Sequence, residues 1–452
     1  LQNKIAEAKP TDLPRDLGDG LILRRATPAD RENLAEFNRI MHEENGQPDD
    51  AVGYWTQDLL KGDHPTTKPE DFTIVVDQNQ GGKIVSSIGL ISQTWAFDGI
   101  VFGAGRPELV ATDPASRRKG LIKLQMDLAH ARSAERGEMV QFITGIPWYY
   151  RQFGYEMGLH LSGARRLPLY KIGKLPAGQT EAYRLRPATF EDIPLLARLY
   201  EIHCRASLVT RVRNEAVWRY EISGQDARSV YYHNFRIVEE VSSGEAIGYL
   251  ETSLFAGPGA LAVRELAVLP GNSMRAVCEF LVRALKAEIE ELNKERKEPL
   301  ASLSFAMGAT AHPCYAALDP QLDRPIPPYA TYIRVPDLPG FIRHIAPVLE
   351  RRLAGSVVEG HTGTLRLNFY RSNMTLVFER GQLKEIGTYQ PKRLEEGDAT
   401  FPDLTFLQLL FGYRSMAELN FARADCGARN DTSRVLLDAL FPPRASNVVT
   451  LG

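Results

Sequence analysis

The chain has 452 residues, 44% of them apolar and 24% charged, and a formal net charge of −2. That length exceeds one hydrophobic core and predicts several domains of about 100–200 residues each, while the ordinary composition excludes extensive disorder and a global nucleic-acid footprint. No apolar run approaches the roughly 18 residues a bilayer span needs.

The opening Leu1-Gln2-Asn3-Lys4 has no initiator Met and lacks the apolar core of a signal peptide, so a cytoplasmic location is expected. Leu23-Arg24-Arg25-Ala26-Thr27-Pro28-Ala29-Asp30 reads as a short strand entering a Thr-x-x-Asp helix start, and Leu34, Phe37 and Ile40 follow at helical spacing. Beyond them Glu43, Glu44 and Asp49 form an acidic group. It reads as a solvated helix face or as acids that attract a cationic substrate.

The stretch Val110-Ala111-Thr112-Asp113-Pro114-Ala115-Ser116-Arg117-Arg118-Lys119-Gly120-Leu121 carries the strongest signal. It predicts a strand running into a helix whose opening turn holds Arg117, Arg118, Lys119 and Gly120. Cations are disfavoured at the positive end of a helix dipole, which points to an anionic ligand there. Gly120 lets a backbone approach closely, and free amides of the first turn point at phosphates. Neither the G-x-x-x-x-G-K-[ST] nor the G-x-G-x-x-G spacing is present, so the stretch reads as R-x-x-G after a strand. A second strand, Glu138 to Thr144, opens toward Gly145 and Ile146. Trp148-Tyr149-Tyr150-Arg151-Gln152-Phe153-Gly154-Tyr155 then supplies either an aromatic core cluster or a proton donor.

Leu167 to Gly178 reads as a linker, after which Leu185-Arg186-Pro187-Ala188-Thr189-Phe190-Glu191-Asp192 repeats the opening motif, with Ile193, Leu196 and Leu199 at helical spacing. The chain is therefore duplicated. Val263 to Pro270, followed by Gly271 to Arg275 and a helix through Phe280, Leu281 and Leu285, stands where Val110 to Leu128 stands in the first copy. The second copy has only Arg275 for three consecutive cations, and its Thr310 to Asp319 segment lacks Y-x-x-F-G-Y. Scaffolding is expected of it. The cysteines at 204, 278, 314 and 426 are widely spaced without C-x-x-C, which predicts free thiols and neither a disulfide framework nor a metal site.

Pro320 to Pro336 reads as a second linker. From Pro339 the pattern predicts one helix carrying Phe341, Ile345, Val348, Leu349 and Leu353, strands over 364–369 and 374–378, and helices over 403–410 and 432–440.

The R-x-x-G cradle and Y-x-x-F-G-Y, in this order and at this distance, resemble the GCN5-related N-acetyltransferase (GNAT) family. The third part is similar to a sterol-carrier-protein domain. Two tandem GNAT (acyl-CoA N-acyltransferase) domains followed by an α+β sterol-carrier-like domain resemble the enhanced intracellular survival (Eis) family over nearly the whole chain. The expected fold is thus mixed α/β and α+β, with a catalytic domain at 1–175, a degenerate one at 176–330 and the third at 331–452.

The resemblance implies acetyl-CoA as co-substrate, no metal, a small-molecule amine or lysine-bearing acceptor and a homo-oligomer, hexameric in relatives. It implies coenzyme contacts at Val110, Thr112, Arg118, Lys119, Gly120, Leu121, Ile122 and Lys123, with Arg117 in the same turn and Gly145 and Ile146 on the opposite side. Ile122 stands where the usual pattern has a small residue. Tyr150 matches the tyrosine that protonates the departing thiolate, and a phenol near pKa 10 suits a thiol near 8.5. The family's base is the carboxylate at the C-terminus, here Gly452 in place of the usual aromatic or acidic ending. A rival reading is a non-catalytic lipid or acyl-CoA carrier, with Phe406, Leu407, Leu409, Leu410 and Phe411 lining an apolar tunnel or simply forming core.

Overall fold

The computed structural model describes residues 13–43, 46–254, 259–308, 312–446 and 448–452, so Glu44 and Thr310 lie outside the described residues. Both copies open with the same local device. Arg24 donates to the two oxygens of Asp30 at 2.8 and 2.6 Å, and Asp30 accepts the Thr27 amide at 2.8 Å. Arg186 and Asp192 repeat the fork at 2.6 and 2.7 Å, with the Thr189 amide at 2.8 Å. A carboxylate at a helix start suits the dipole, and the Arg24 hydrogen bonds hold Asp30 down to about 2. Leu34 and Phe37 are buried on the following helix, Arg31–Met41, but Ile40 in its last turn is exposed, so the predicted stripe ends at Phe37.

The first sheet is built on β1 (Arg15–Gly18), β2 (Leu21–Arg25), β3 (Phe72–Asp77), β4 (Lys83–Phe97), β5 (Ile100–Thr112), β6 (Val140–Ile143) and β7 (Glu156–Leu161). The second contains β8 (Arg165–Pro168), β9 (Tyr183–Pro187), β11 (Asn234–Glu240), β12 (Ala246–Ser253), β13 (Ala260–Val268) and β14 (Ser302–Phe305), while β10 (Val209–Arg211) pairs with β4. β15 (Tyr329–Arg334) lies between β6 and β7 in the first sheet.

The expected boundaries at 175 and 330 do not coincide with these sheets. β8, from the end of the first copy, pairs with β14 of the second, and β15, from the end of the second, pairs with β6 of the first. Each half thus covers the open edge of the other's parallel strand, whose amides and carbonyls need partners. The stretch expected as the second linker carries β15, with Pro328 and Pro336 flanking it, while the first overlaps only the end of β8 at Leu167 and Pro168.

The third sheet runs β18 (Gln382–Gly387), β17 (Asn373–Glu379), β16 (Gly363–Asn368), β19 (Ala399–Thr400), β20 (Gly427–Ala428). The predicted helix over Phe341 to Leu353 is two, Leu338–His344 and Ala346–Ala354, because Pro347 lacks an amide and its ring crowds the preceding turn. One continuous apolar core joins Trp95, Phe97 and Phe142 of the first sheet to Phe341, Leu367 and Phe411 of the third unit. Phe406, Leu407, Leu409, Leu410 and Phe411 are all buried in it, and Phe411 stacks on Phe341 at 5.6 Å. These residues therefore form core, and the tunnel of the rival reading is filled by the domain's own side chains. Among the described residues no helix is long and apolar enough to cross a membrane.

Candidate active site

β5 and β6 run parallel but pair only at Ala104–Val140 and Gly105–Gln141. Beyond Gly105 they part. Leu109 adopts a left-handed φ of 53°, and the β4–β5 register shifts there, so the end of β5 bulges away from its ladder. A cavity of about 750 Å³ opens along the strand edge that remains. Val110 and Thr112 line it from that edge, and Gly145 and Ile146 line it from the segment after β6.

The cations lie before the helix, correcting their expected place in its first turn. Pro114–Ser116 is a short 3₁₀ turn, Arg118 has φ 65° and Gly120 has φ 78°, so two left-handed residues interrupt any helical continuation until Leu121–Glu135 begins. Gly120 is the N-cap, a conformation that side chains other than glycine seldom adopt. The amides of Leu121, Ile122 and Lys123 have no intrahelical acceptor by the geometry of a helix start. Arg117, Arg118, Gly120, Leu121, Ile122 and Lys123 line the cavity. Lys119 does not, and its charge acts from the flank.

Tyr150 closes the opposite wall on the short turn Tyr149–Phe153 and is 6% exposed. Its ring packs against Tyr149 at 5.1 Å, Tyr332 at 5.7 Å and Tyr155 at 6.3 Å. A Cβ built on Gly145 would fall 2.0 Å from the Tyr150 ring, so glycine is required there for the ring to take its place. Burial, and next the charge of Glu108, push the phenol above its ordinary pKa, which keeps it protonated. Trp148 departs from the expected aromatic cluster, for it is 74% exposed.

Glu108 is the residue that the sequence reading missed. Its carboxylate lines the cavity and accepts from Arg106 Nε at 2.9 Å and Thr144 Oγ1 at 3.2 Å. The signal was present as a charged residue two places before Val110 on a strand leading into the cradle. Arg106, fully buried, also donates to the Leu451 carbonyl at 3.0 Å and to the Tyr231 hydroxyl. Gly452 is buried against Tyr231 and does not line the cavity. Of the acidic group, Glu43 is exposed, and Asp49 caps the helix Asp50–Leu60 by accepting the amides of Ala51 and Val52.

On β13 of the second copy, Glu265 spends its oxygens on Arg213 at 2.7 and 2.5 Å and on the Tyr249 hydroxyl at 2.9 Å. His312 Nε2 occupies the Leu266 carbonyl at 3.0 Å, and Arg275 pairs with Glu279 at 2.9 Å.

Residues 23–158 match the acetyltransferase (GNAT) domain family. No curated protein matches the chain in sequence. Three solved structures share its fold over almost their whole length. A protein from Enterococcus faecalis described as a probable N-acyltransferase is 14% identical with TM-score 0.66, covering 96% of this chain and 100% of its own. A GCN5-related N-acetyltransferase from Kribbella flavida is 17% identical with TM-score 0.62, covering 96% and 98%. Eis1 from Mycobacterium abscessus is 14% identical with TM-score 0.56, covering 96% and 99%.

Proposed function

We propose that this chain is an acyltransferase that transfers acetyl from acetyl-CoA directly to a primary amine, on an aminoglycoside-like polyamine or a lysine side chain, a reading supported by the match of residues 23–158 to the acetyltransferase (GNAT) domain family. The observation that carries this reading is the single cavity in which a free strand edge, a cationic turn at a helix start and a protonated Tyr150 face one another.

In this reading Arg117, Arg118 and Lys119, with the amides of residues 121–123, take the pyrophosphate. The edge at Val110 and Thr112 pairs with the pantetheine amides, and an amide of that edge polarises the thioester carbonyl. Ile146 flanks the pantetheine, and Gly145 makes room for the Tyr150 ring. The neutral amine nitrogen attacks the carbonyl carbon, the carbon–sulfur bond breaks, Tyr150 gives its proton to the leaving thiolate, and the proton that the new amide nitrogen sheds restores the phenol, directly or through water. An alkylammonium must first lose a proton, since such amines titrate near 10.4. Glu108 attracts it and accepts that proton, directly or through water. Glu108→Gln tests that role. Residues 331–452, which we read as sterol-carrier-like, serve as a packed wall rather than a lipid carrier.

Thiol release from acetyl-CoA with a panel of amines tests the reading. Release with a primary amine is expected. No release with any amine, together with no coenzyme binding by calorimetry, overturns it.

A further inference from the structure

A second cavity, of about 800 Å³, lies between the 148–156 segment and the third unit. Of the lining residues it shares only Gln152 with the cavity of Tyr150. Its volume is that of a small-molecule site.

The charges in its lining are unevenly spent. Arg151 donates to Glu156 at 2.7 Å, and Glu156 accepts further from the Met157 amide and Gln408, so that pair is satisfied internally. Arg371, in the turn between β16 and β17, and Arg423, at the end of the helix Met416–Ala422, line the same cavity with no side-chain partner among the described residues. Besides Glu156, Asp403 is the only carboxylate of the described lining. Arg371 is exposed and Arg423 half-buried, and with the Arg151–Glu156 pair neutral the two guanidinium groups and Asp403 leave one positive charge in the cleft.

The apolar part centres on one exposed ring. Trp148 presents its ring here at 74% exposure, with the Arg151 guanidinium 4.9 Å from the ring centre. Its backbone is left-handed, φ 71°, which is costly for a bulky side chain. That conformation holds the indole away from the Tyr149–Tyr150–Phe153 cluster, forgoing the gain of burial. Phe369, 8% exposed and packed on Phe401 and Phe406, also lines the cleft.

We propose that this cleft is a binding site for a small planar monoanion, an aromatic carboxylate whose ring lies on Trp148 and whose charge is held by Arg371 and Arg423. The site is independent of the acetyl-transfer reading, since none of the three residues lines the first cavity.

Trp148 also provides the readout. The chain has four tryptophans, and Trp55, Trp95 and Trp218 are each no more than 4% exposed. Contact quenching by 4-iodobenzoate therefore reports on Trp148 in the full-length protein. Saturable quenching is expected, with the neutral 4-iodobenzyl alcohol about tenfold weaker or more, the worth of a charge-assisted hydrogen bond. The Arg371→Ala/Arg423→Ala variant should bind the benzoate as weakly as the alcohol, and Trp148→Phe should abolish the quenchable emission. Equal affinity for the two ligands, quenching that never saturates, or undiminished benzoate affinity in the double variant overturns the proposal. The ligand comparison needs only the unaltered chain, so the outcome does not hang on how the variants fold.

Discussion

The Arg106 guanidinium holds the Leu451 carbonyl at 3.0 Å and the Glu108 carboxylate at 2.9 Å, so one buried cation joins the edge of the cavity to a residue 345 positions further along the chain. The Tyr231 ring lies 4.8 Å from the same guanidinium. Removing one partner of a buried pair leaves the other charge uncompensated. Arg106→Met should cost about 3–5 kcal/mol, read as a lowered urea midpoint. A midpoint within error of the parent protein's would show that Glu108 does not depend on Arg106.

Tyr150→Phe should lower kcat roughly a hundredfold while leaving acetyl-CoA affinity nearly intact, because a general acid acts only in the transition state. Gly145→Ala should produce a similar loss by displacing the ring that packs on it. The raised phenol pKa keeps the acid form present on the alkaline side, so no fall in rate through pH 9 should trace to Tyr150. Full activity of the phenylalanine variant would remove the residue from the mechanism.

Changing Arg117, Arg118 and Lys119 together to Gln should weaken acetyl-CoA binding by about ten- to a hundredfold and flatten its salt dependence. Lys119→Gln alone should matter least, since Lys119 is outside the lining. Calorimetric titration at two ionic strengths decides, and an unchanged dissociation constant would end the case for a pyrophosphate cradle.

Acid should destabilise the fold well above the carboxylate range. Burial pushes His64, His130 and His312 each down to about 3. With folded values below the unfolded 6.5, the unfolded chain binds the extra protons, so their stabilising share is full above pH 6.5 and drains as pH falls toward 3. Each contributes up to about 1.4 kcal/mol per pH unit in that window. Asp58 opposes them, because burial raises it to about 6 and its ionised form is the costly one above that pH. Urea midpoints should nevertheless fall from pH 7 to pH 5, and His130→Gln should lessen the slope; a flat profile would refute the account.

Phe411→Ala should cost about 3–5 kcal/mol, as expected for emptying a close-packed aromatic site. A protein that lost little stability and co-purified with lipid would restore the carrier reading.

What sequence alone made legible is what a few neighbouring residues settle among themselves. The Thr-x-x-Asp starts, the duplicated opening, the strand before Arg117 and the glycine before Leu121 depend on hydrogen bonds and backbone preferences spanning a handful of positions. Even there the handedness of Arg118 moved the helix start beyond the cations. Asp49, read as one of an acidic group, was already committed to its own helix cap.

Tertiary structure alone decided the rest, because burial and edge pairing join residues without regard to their separation along the chain. The exchange of β8 and β15 answers open strand edges that no local pattern announces. The Arg106 link from Glu108 to Leu451, and the cleft gathering Trp148, Arg371 and Arg423, exist only once distant segments have packed. Hydrophobic association has no direction and no sequence range, so it selects which polar groups meet only after the sheets have closed around them.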